Sequence, residues 1–234
     1  MAFTEVQFNN TASFLNTLSN SCAYTSNVTQ GNLLVLYVSW AYPNTSVPAY
    51  TVSDTLGNTW SSGVFCGQTA NGYGESVFYC LSSKSSGANT VTITGTATSY
   101  YSILCCAEYS PGGGNTTVFD TSGIDPQLSG SSYSISLTLA KPNELVVMGV
   151  CSNAGSYTFS GGTMLVDLTN LGAGYSTPSS AGAYTVAGNG GGSSSYSVVA
   201  IAFYAQANTS TGLFTGSTSY IQQLNFPTSQ LQQL

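Results

Sequence analysis

The residues that could do chemistry in this sequence are eight acids, two lysines and six cysteines. There is no histidine, and the net charge is −6. Serine and cysteine hydrolases usually activate their nucleophile with a histidine base. The usual catalytic triads are therefore excluded. A serine–lysine pair would depend on Lys84 or Lys141, and both lie in predicted turns.

Two carboxylates alone can hydrolyse a glycosidic bond if they stand at the correct separation. Glu108 attracts attention because it ends an apolar run, where a buried acid must be paired or hydrogen-bonded. We expect Glu108 to point outwards or to accept hydrogen bonds from loop amides. Asp120 and Asp125 are weak calcium candidates, since they lack EF-hand spacing. We predict no catalytic residue and no cofactor. The eight acids are Glu5, Asp54, Glu75, Glu108, Asp120, Asp125, Glu144 and Asp167.

The cysteine spacings match no zinc motif, and no histidine is available as a ligand. Either the cysteines form up to three disulfides, or several are buried thiols that pack as small apolar groups. A short hairpin-like segment favours Cys66 with Cys80 as a pair. Cys105 and Cys106 are adjacent on a predicted strand and must face opposite ways. The disulfide candidates are Cys22, Cys66, Cys80, Cys105, Cys106 and Cys151.

The composition limits the possible partners. Charged residues make up 4% of the chain and hydrophobic residues 42%, whereas about 25% of a typical soluble domain is charged. Such a chain can bury a core, and its surface must consist of uncharged polar groups. Two lysines cannot neutralise many phosphates or anionic lipids, so we expect neither nucleic acid nor a membrane surface as partner.

The longest apolar runs, Leu33–Trp40 and Leu145–Val150, have the length of strands. A membrane-spanning helix would need about 20 apolar residues. The first residues show neither the basic nor the apolar segment of a secretory signal. We expect either that a signal was removed or that the protein leaves its cell in another way, for example within a virion.

Short β-type runs separated by turn residues recur along the chain. Apolar and hydroxylated residues alternate in Tyr133–Leu139 and Thr90–Thr94, which predicts half-buried strands. Leu33–Trp40, Ile103–Ala107 and Val198–Phe203 are almost continuously apolar, which predicts central strands between two layers. The sequence therefore predicts an all-β, antiparallel sandwich or jelly roll.

A weak internal similarity joins Gly31–Leu36 and Pro142–Val147, each a polar turn that leads into an apolar strand. We interpret it first as a pattern common in antiparallel proteins. The prediction is one sandwich over residues 1–204, with two halves of about 1–125 and 126–204 as the alternative.

Residues 205–234 form a predicted C-terminal arm. The segment is polar and uncharged, yet it carries more large apolar residues than a solvated tail needs. It could contact a neighbouring subunit or supply a strand to it, or it could fold back on its own domain. The apolar residues of the arm are Leu213, Phe214, Tyr220, Ile221, Leu224, Phe226, Leu231 and Leu234.

Aromatic residues and glycosylation motifs leave further alternatives open. The aromatics could form a sugar-stacking platform, or they could serve the core and subunit contacts. Asn-x-Ser/Thr motifs are acceptors only in a glycosylating compartment. The aromatics concerned are Tyr42, Tyr50, Trp60, Tyr73, Tyr100, Tyr101 and Tyr109, and the motif asparagines are Asn9, Asn27, Asn44, Asn115 and Asn208.

The segments Gly31–Trp40, Val52–Trp60, Gly87–Thr94 and Glu108–Ser110 resemble a β-sandwich domain of bacterial extracellular proteins and phage virion structural proteins. The resemblance implies a fold and a setting outside the cell or on a virion surface, and it transfers no catalytic residue. We expect a structural protein that contacts itself or other structural subunits, as a capsid decoration or tail component. An extracellular filament or pilus subunit and a carbohydrate-binding module are the alternatives.

Overall fold

The computed structural model describes residues 2–13, 17–41, 49–68, 73–99, 101–127, 130–152, 155–190 and 196–208. Within these ranges the regular structure consists of sixteen β-strands, and every paired strand is antiparallel. The predicted all-β antiparallel sandwich is therefore confirmed. None of the described residues forms a helix that is long and apolar enough to cross a membrane.

The first eight strands form one sandwich of two sheets, the first sandwich. The order is β1-β8-β3-β6-β5 in its five-stranded sheet and β2-β7-β4 in its three-stranded sheet. The strands are β1 Thr4–Ser13, β2 Thr17–Ala23, β3 Leu33–Ala41, β4 Tyr50–Asp54, β5 Ser61–Gln68, β6 Tyr73–Cys80, β7 Thr90–Ser99 and β8 Tyr101–Ser110.

The last eight strands form the second sandwich with the same connections. Its sheets have the orders β9-β16-β11-β14-β13 and β10-β15-β12, so each strand number is that of the first sandwich plus eight. The strands are β9 Asn115–Gln127, β10 Ser132–Leu139, β11 Leu145–Ser152, β12 Tyr157–Phe159, β13 Thr163–Leu168, β14 Leu171–Ser176, β15 Gly182–Gly190 and β16 Tyr196–Ala207. Eight strands wound in this way form a jelly roll.

The two five-stranded sheets pack face to face, which gives four layers in the order three, five, five and three strands. Strands β3 and β11 lie in the middle of these sheets, and every residue of both is buried. Side chains that alternate along β3 face different cores: Leu33 and Val35 enter the core between the sandwiches, while Leu34 and Leu36 enter the core of the first sandwich. The continuous apolar runs follow from this burial on both faces.

When the two sandwiches are matched strand by strand, the corresponding residues differ by one position from those matched in the sequence. Leu33 pairs with Tyr109 and Leu145 pairs with Phe203, and all four side chains belong to the core between the sandwiches. Gly31 is thus equivalent to Asn143, and both have positive φ, 89° and 59°. The sequence match aligned Gly31 with Pro142. A shift of one residue along a strand would exchange the side chains on its two faces.

The boundaries between segments in the structure differ from those predicted from the sequence. The topology passes from the first to the second sandwich between Ser110 and Asn115, while residues 125 and 126 lie within β9. Strand β16 continues through Ala207, so the first three residues assigned to the arm belong to a strand that pairs with β9. The eight apolar residues named for the arm lie outside the described residues.

Gly149 on β11 allows the two sandwiches to approach. A Cβ atom at this position would stand 2.4 Å from Oε1 of the buried Glu75 on β6. We therefore expect Gly149→Ala to reduce the free energy of unfolding by about 1–3 kcal/mol, the usual cost of overpacking. Urea unfolding measures the change. The control is Gly113→Ala, where nothing lies within 4 Å of the added Cβ. Equal stability of both variants and the unmodified chain would contradict this packing.

Candidate functional site

The buried carboxyl groups are the residues whose chemistry is most altered by this fold. Five of the acids have surroundings that bear on a catalytic or metal-binding role: Glu108, Asp54, Glu75, and the neighbours Glu144 and Asp120.

Glu108 on β8 binds the loop that leads into β3 through hydrogen bonds. Its side chain is fully buried and accepts hydrogen bonds from Gln7 Nε2 at 2.6 Å, Thr29 N at 2.8 Å and Asn32 Nδ2 at 2.6 Å. Gln7 in turn accepts hydrogen bonds from the backbone and hydroxyl of Ser26. We expected Glu108 either to point outwards or to accept hydrogen bonds from loop amides, and the structure shows the second. This role is structural.

Asp54 organises the turn between β4 and β5. It accepts hydrogen bonds from Asn58 N, Asn58 Nδ2, Trp60 Nε1 and Asn89 Nδ2, at distances of 2.7 to 3.1 Å. Burial raises the pKa of Asp54, but these hydrogen bonds outweigh burial and hold the pKa below its ordinary value. The carboxylate is ionised and its acceptor sites are occupied, so it is poorly suited to act as a general acid or base.

Glu75 lies between the two sandwiches, and its hydrogen bonds indicate a neutral carboxyl group. Ser39 Oγ stands 2.7 Å from Glu75 Oε2 and 2.6 Å from the carbonyl oxygen of Asn170. A hydroxyl has a single proton to donate. Both contacts are hydrogen bonds if protonated Glu75 donates to Ser39 and Ser39 donates to Asn170. This chain connects β6 and β3 of the first sandwich to the β13–β14 turn of the second.

The environment of Glu75 agrees with this proton assignment. Complete burial raises the pKa of Glu75 well above its ordinary value, because the charged form would lose its hydration. From the sequence, Glu75 is named only as one of the eight acids, whereas in the structure it lies within β6. The signal was present: an acid directly precedes a segment rich in apolar residues.

Glu144 is an acid whose chemistry is altered by burial and by the neighbouring Asp120. It is fully buried immediately before β11 and accepts a hydrogen bond from Lys141 N at 2.5 Å. Burial raises the pKa of Glu144 to about 7; the Lys141 hydrogen bond opposes the rise, and the negative charge of Asp120 adds to it. Asp120 occupies a β-bulge in β9, opposite the step from Ala202 to Phe203.

A shallow depression lies near this pair of acids. It is open to solvent, with a volume of about 450 Å³, and it is lined by Lys141, Pro142 and residues 204–207 of β16. Its described lining contains no carboxyl group. Glu144 has no exposed surface, so the pair does not present two acids across a groove as glycoside hydrolysis would require.

Asp120 and Asp125, the weak calcium candidates, each bind a different end of β10. Asp120 Oδ2 accepts a hydrogen bond from Ala140 N at 3.0 Å, and Asp125 Oδ2 accepts one from Ser134 N at 2.8 Å. The structure does not bring the two carboxylates together. Across the described ranges, no group of three or more histidine, cysteine or acidic residues is placed to hold a metal ion.

All six cysteines are buried free thiols. Cys66 belongs to the core between the sandwiches and Cys80 to the core of the first sandwich, so the pair favoured from the sequence is not brought together. Cys105 and Cys106 face these two different cores, as adjacent strand residues must. Burial raises the pKa of Cys66 to about 11, which keeps this thiol protonated and unreactive.

The aromatic candidates do not form an exposed platform in the described part of the chain. Tyr109 is fully buried, and the half-buried Tyr50 and Trp60 pack against the core of the first sandwich. Nothing is described of the side chains of Tyr42, Tyr73, Tyr100 and Tyr101.

The glycosylation motifs fall in different environments. Asn27 and Asn208 are exposed. The side chains of Asn9 and Asn115 donate hydrogen bonds to the backbone of Ala23 and Pro111. Asn44 lies outside the described residues.

Comparison with known proteins adds no relative. A scan against protein-family models, a search of curated proteins and a search of solved structures each found no match. Any conclusion about function therefore rests on the geometry of the chain alone.

Replacing Glu75 by its amide tests whether the carboxyl group is neutral. An unfolded glutamate ionises above about pH 4.3 while folded Glu75 keeps its proton, so the free energy of unfolding falls with rising pH by about 1.4 kcal/mol per unit. We expect Glu75→Gln to be more stable than the unmodified chain at neutral pH and to show a weaker decline. Urea unfolding at several pH values measures both. Glu5→Gln on β1 is the control, and identical slopes in the unmodified chain and Glu75→Gln would refute a neutral Glu75.

Glu144 makes a second, bounded contribution to the pH dependence. Its pKa is raised from 4.5 to about 7, so its stabilising effect is complete below the unfolded pKa and is lost as the pH rises towards 7. We expect Glu144→Gln to remove part of the fall in melting temperature over this interval, which thermal unfolding would measure. Asp120→Asn should have a smaller effect in the same direction, because it removes the neighbouring negative charge. A decline that both variants leave unchanged would count against this coupling.

Proposed function

We propose that this chain is a non-enzymatic structural protein on the surface of a particle, namely a virion capsid decoration or tail component. It contacts itself or other structural subunits through uncharged surfaces. The observation that carries the proposal is the absence of charge on the outward faces of both three-stranded sheets within the described residues.

The outer face of the first sandwich is covered by hydroxyl groups. Ser19, Thr94 and Thr51 form one row across β2, β7 and β4. Ser21, Thr92 and Ser53 form the next row, in which Ser21 Oγ and Thr92 Oγ1 lie 2.8 Å apart. Such groups can be covered by another protein without the large cost of removing a charge from water.

The outer face of the second sandwich has the same character. Strand β10 alternates between buried apolar residues and exposed residues, and the exposed ones are Ser132, Ser134, Ser136 and Thr138. Strand β10 is also an edge strand of its sheet. Natural edge strands often carry a lysine or a proline that prevents pairing with another chain. Strand β10 carries neither.

Exposed apolar side chains also lie on edge strands. Val6 on β1, Leu18 on β2 and Ile124 on β9 are 46%, 52% and 46% exposed. Each of these strands stands at the edge of its sheet. An edge strand with an exposed apolar side chain is suited to contact with another β-rich subunit.

The acids support a structural role in a different way. The carboxyl groups of Glu108, Asp54 and Glu75 each take part in at least one hydrogen bond within the chain. They bind loops and sheets to one another and leave no described pair open to a substrate. Jelly rolls occur in viral capsids and also in lectins, so the fold is compatible with the proposal and does not by itself distinguish these functions.

Electron microscopy of particles from the native source, labelled with an antibody against the chain, tests the proposal. We expect label on the outside of virions and expect it to remain after a wash in about 1 M NaCl, where charge interactions are screened within about 3 Å. Label along a cellular filament would favour the filament alternative. Release by salt, or a sugar-specific signal on a glycan array without particle label, would contradict the proposal.

Lysine substitutions provide matched controls for the same particles. Val6→Lys with Ile124→Lys places two charges on the exposed edges and should weaken attachment. Ser85→Lys with Ser180→Lys adds the same charge at exposed positions in the β6–β7 and β14–β15 connections. Equal attachment of the two double variants would exclude the β1 and β9 edges as the contact.

A further inference from the structure

We propose that Cys22 and Cys106 form a disulfide that joins the two sheets of the first sandwich. Their sulfur atoms lie 3.1 Å apart, and both side chains are buried, with 1% and 0% of their surface exposed. A disulfide requires about 2.05 Å between the sulfurs, so the two atoms need to approach by about 1 Å. Nothing in the sequence spacing distinguishes this pair from the others.

The position of the two strands explains why these cysteines meet. Cys22 lies on β2, the edge strand of the three-stranded sheet, and pairs with Val91. Cys106 lies on β8 in the five-stranded sheet, between Asn9 and Leu36. Both side chains point into the core of the first sandwich, where the facing sheets bring them into contact.

The surroundings select this pair over neighbouring cysteines. Cys105 is adjacent to Cys106 in sequence but faces the core between the sandwiches. Cys66 also faces that central core. Cys80 shares the first core, but its thiol donates a hydrogen bond to Ser82 O at 3.3 Å.

The two thiols assist each other chemically. The hydrogen bond with Cys106 lowers the pKa of Cys22, although burial raises it, and the same contact raises the pKa of Cys106. In the folded chain Cys22 is therefore the thiol that ionises first, and the thiolate is the reactive form of a cysteine.

The oxidant is a small disulfide such as oxidised glutathione. The thiolate of one of the two cysteines attacks a sulfur of the small disulfide and releases one thiol, which takes up the proton lost by that cysteine. The thiolate of the other cysteine then attacks the cysteine sulfur of the mixed disulfide and releases the second thiol, which takes up the second proton. Two cysteine thiols are oxidised and one small disulfide is reduced to two thiols. Because both sulfurs are buried in the folded chain, the exchange takes place before the two sheets close.

The cross-link would enclose most of the first sandwich. The two residues are 84 positions apart, and strands β3 to β7 lie between them. A bond across such a long loop restricts the unfolded chain strongly. We expect the oxidised protein to melt roughly 10 °C above the reduced protein.

Trypsin makes a direct test possible because the chain has only two lysines and no other tryptic site. Lys141 is followed by Pro142, which hinders cleavage, so trypsin cuts after Lys84 and gives fragments 1–84 and 85–234. The full chain is refolded with oxidised and reduced glutathione, its free thiols are blocked in denaturant, and it is digested. We expect the fragments to remain joined on a non-reducing gel and to separate on reduction, with two of the six thiols lost.

Cysteine variants assign the bond. Cys22→Ala and Cys106→Ala should each release the fragments, whereas Cys80→Ala and Cys105→Ala should leave them joined. Separate fragments from the oxidised unmodified chain would overturn the proposal. So would a link that survives Cys22→Ala, or one that appears only in species larger than a single chain. The first of these measurements uses the unmodified chain and does not depend on the folding of any variant.

Discussion

The structure depends on the burial of β3 and β11 on both faces. Each strand is almost entirely apolar, so neither face can be left in water without a large cost. A two-layer sandwich covers one face of its central strand, and the second face of each strand is covered by the other sandwich. The hydrophobic effect thereby dictates four layers, and the core between the sandwiches contains side chains from both halves of the chain. A single half would expose the apolar surface that the other half now covers.

This burial determines how the few ionisable groups are used. An acid placed between packed sheets must be neutral or must be supplied with donors. Glu75 is neutral and is joined by hydrogen bonds to Ser39 and, through it, to Asn170. Glu108 receives hydrogen bonds from three donors, on Gln7, Thr29 and Asn32. These two acids therefore serve the interior, and the described outer faces of the three-stranded sheets carry hydroxyl groups.

The sequence predicted the strands that alternate or that are continuously apolar, because these patterns directly reflect burial on one face or on two. It did not predict β14, whose run Leu171–Ser176 contains two glycines and resembles a loop. Those glycines are required by packing, since a Cβ at Gly172 would meet Tyr157 and one at Gly174 would approach Phe159. The sequence also gave no indication that Cys22 meets Cys106 or that Glu75 meets Ser39, since these contacts arise only when distant strands are brought together by the sheet order.

The repeated topology gives one polypeptide two comparable edge strands. Strands β1 and β9 are the opening strands of their jelly rolls, each contains a bulge, and each exposes one aliphatic side chain, Val6 or Ile124. If both edges bind a partner, as the proposed function requires, the molecule is bivalent: once one edge is engaged, the other is held at a high local concentration near the next partner. Under that proposal, two weak contacts would multiply into slow release without any single strong one.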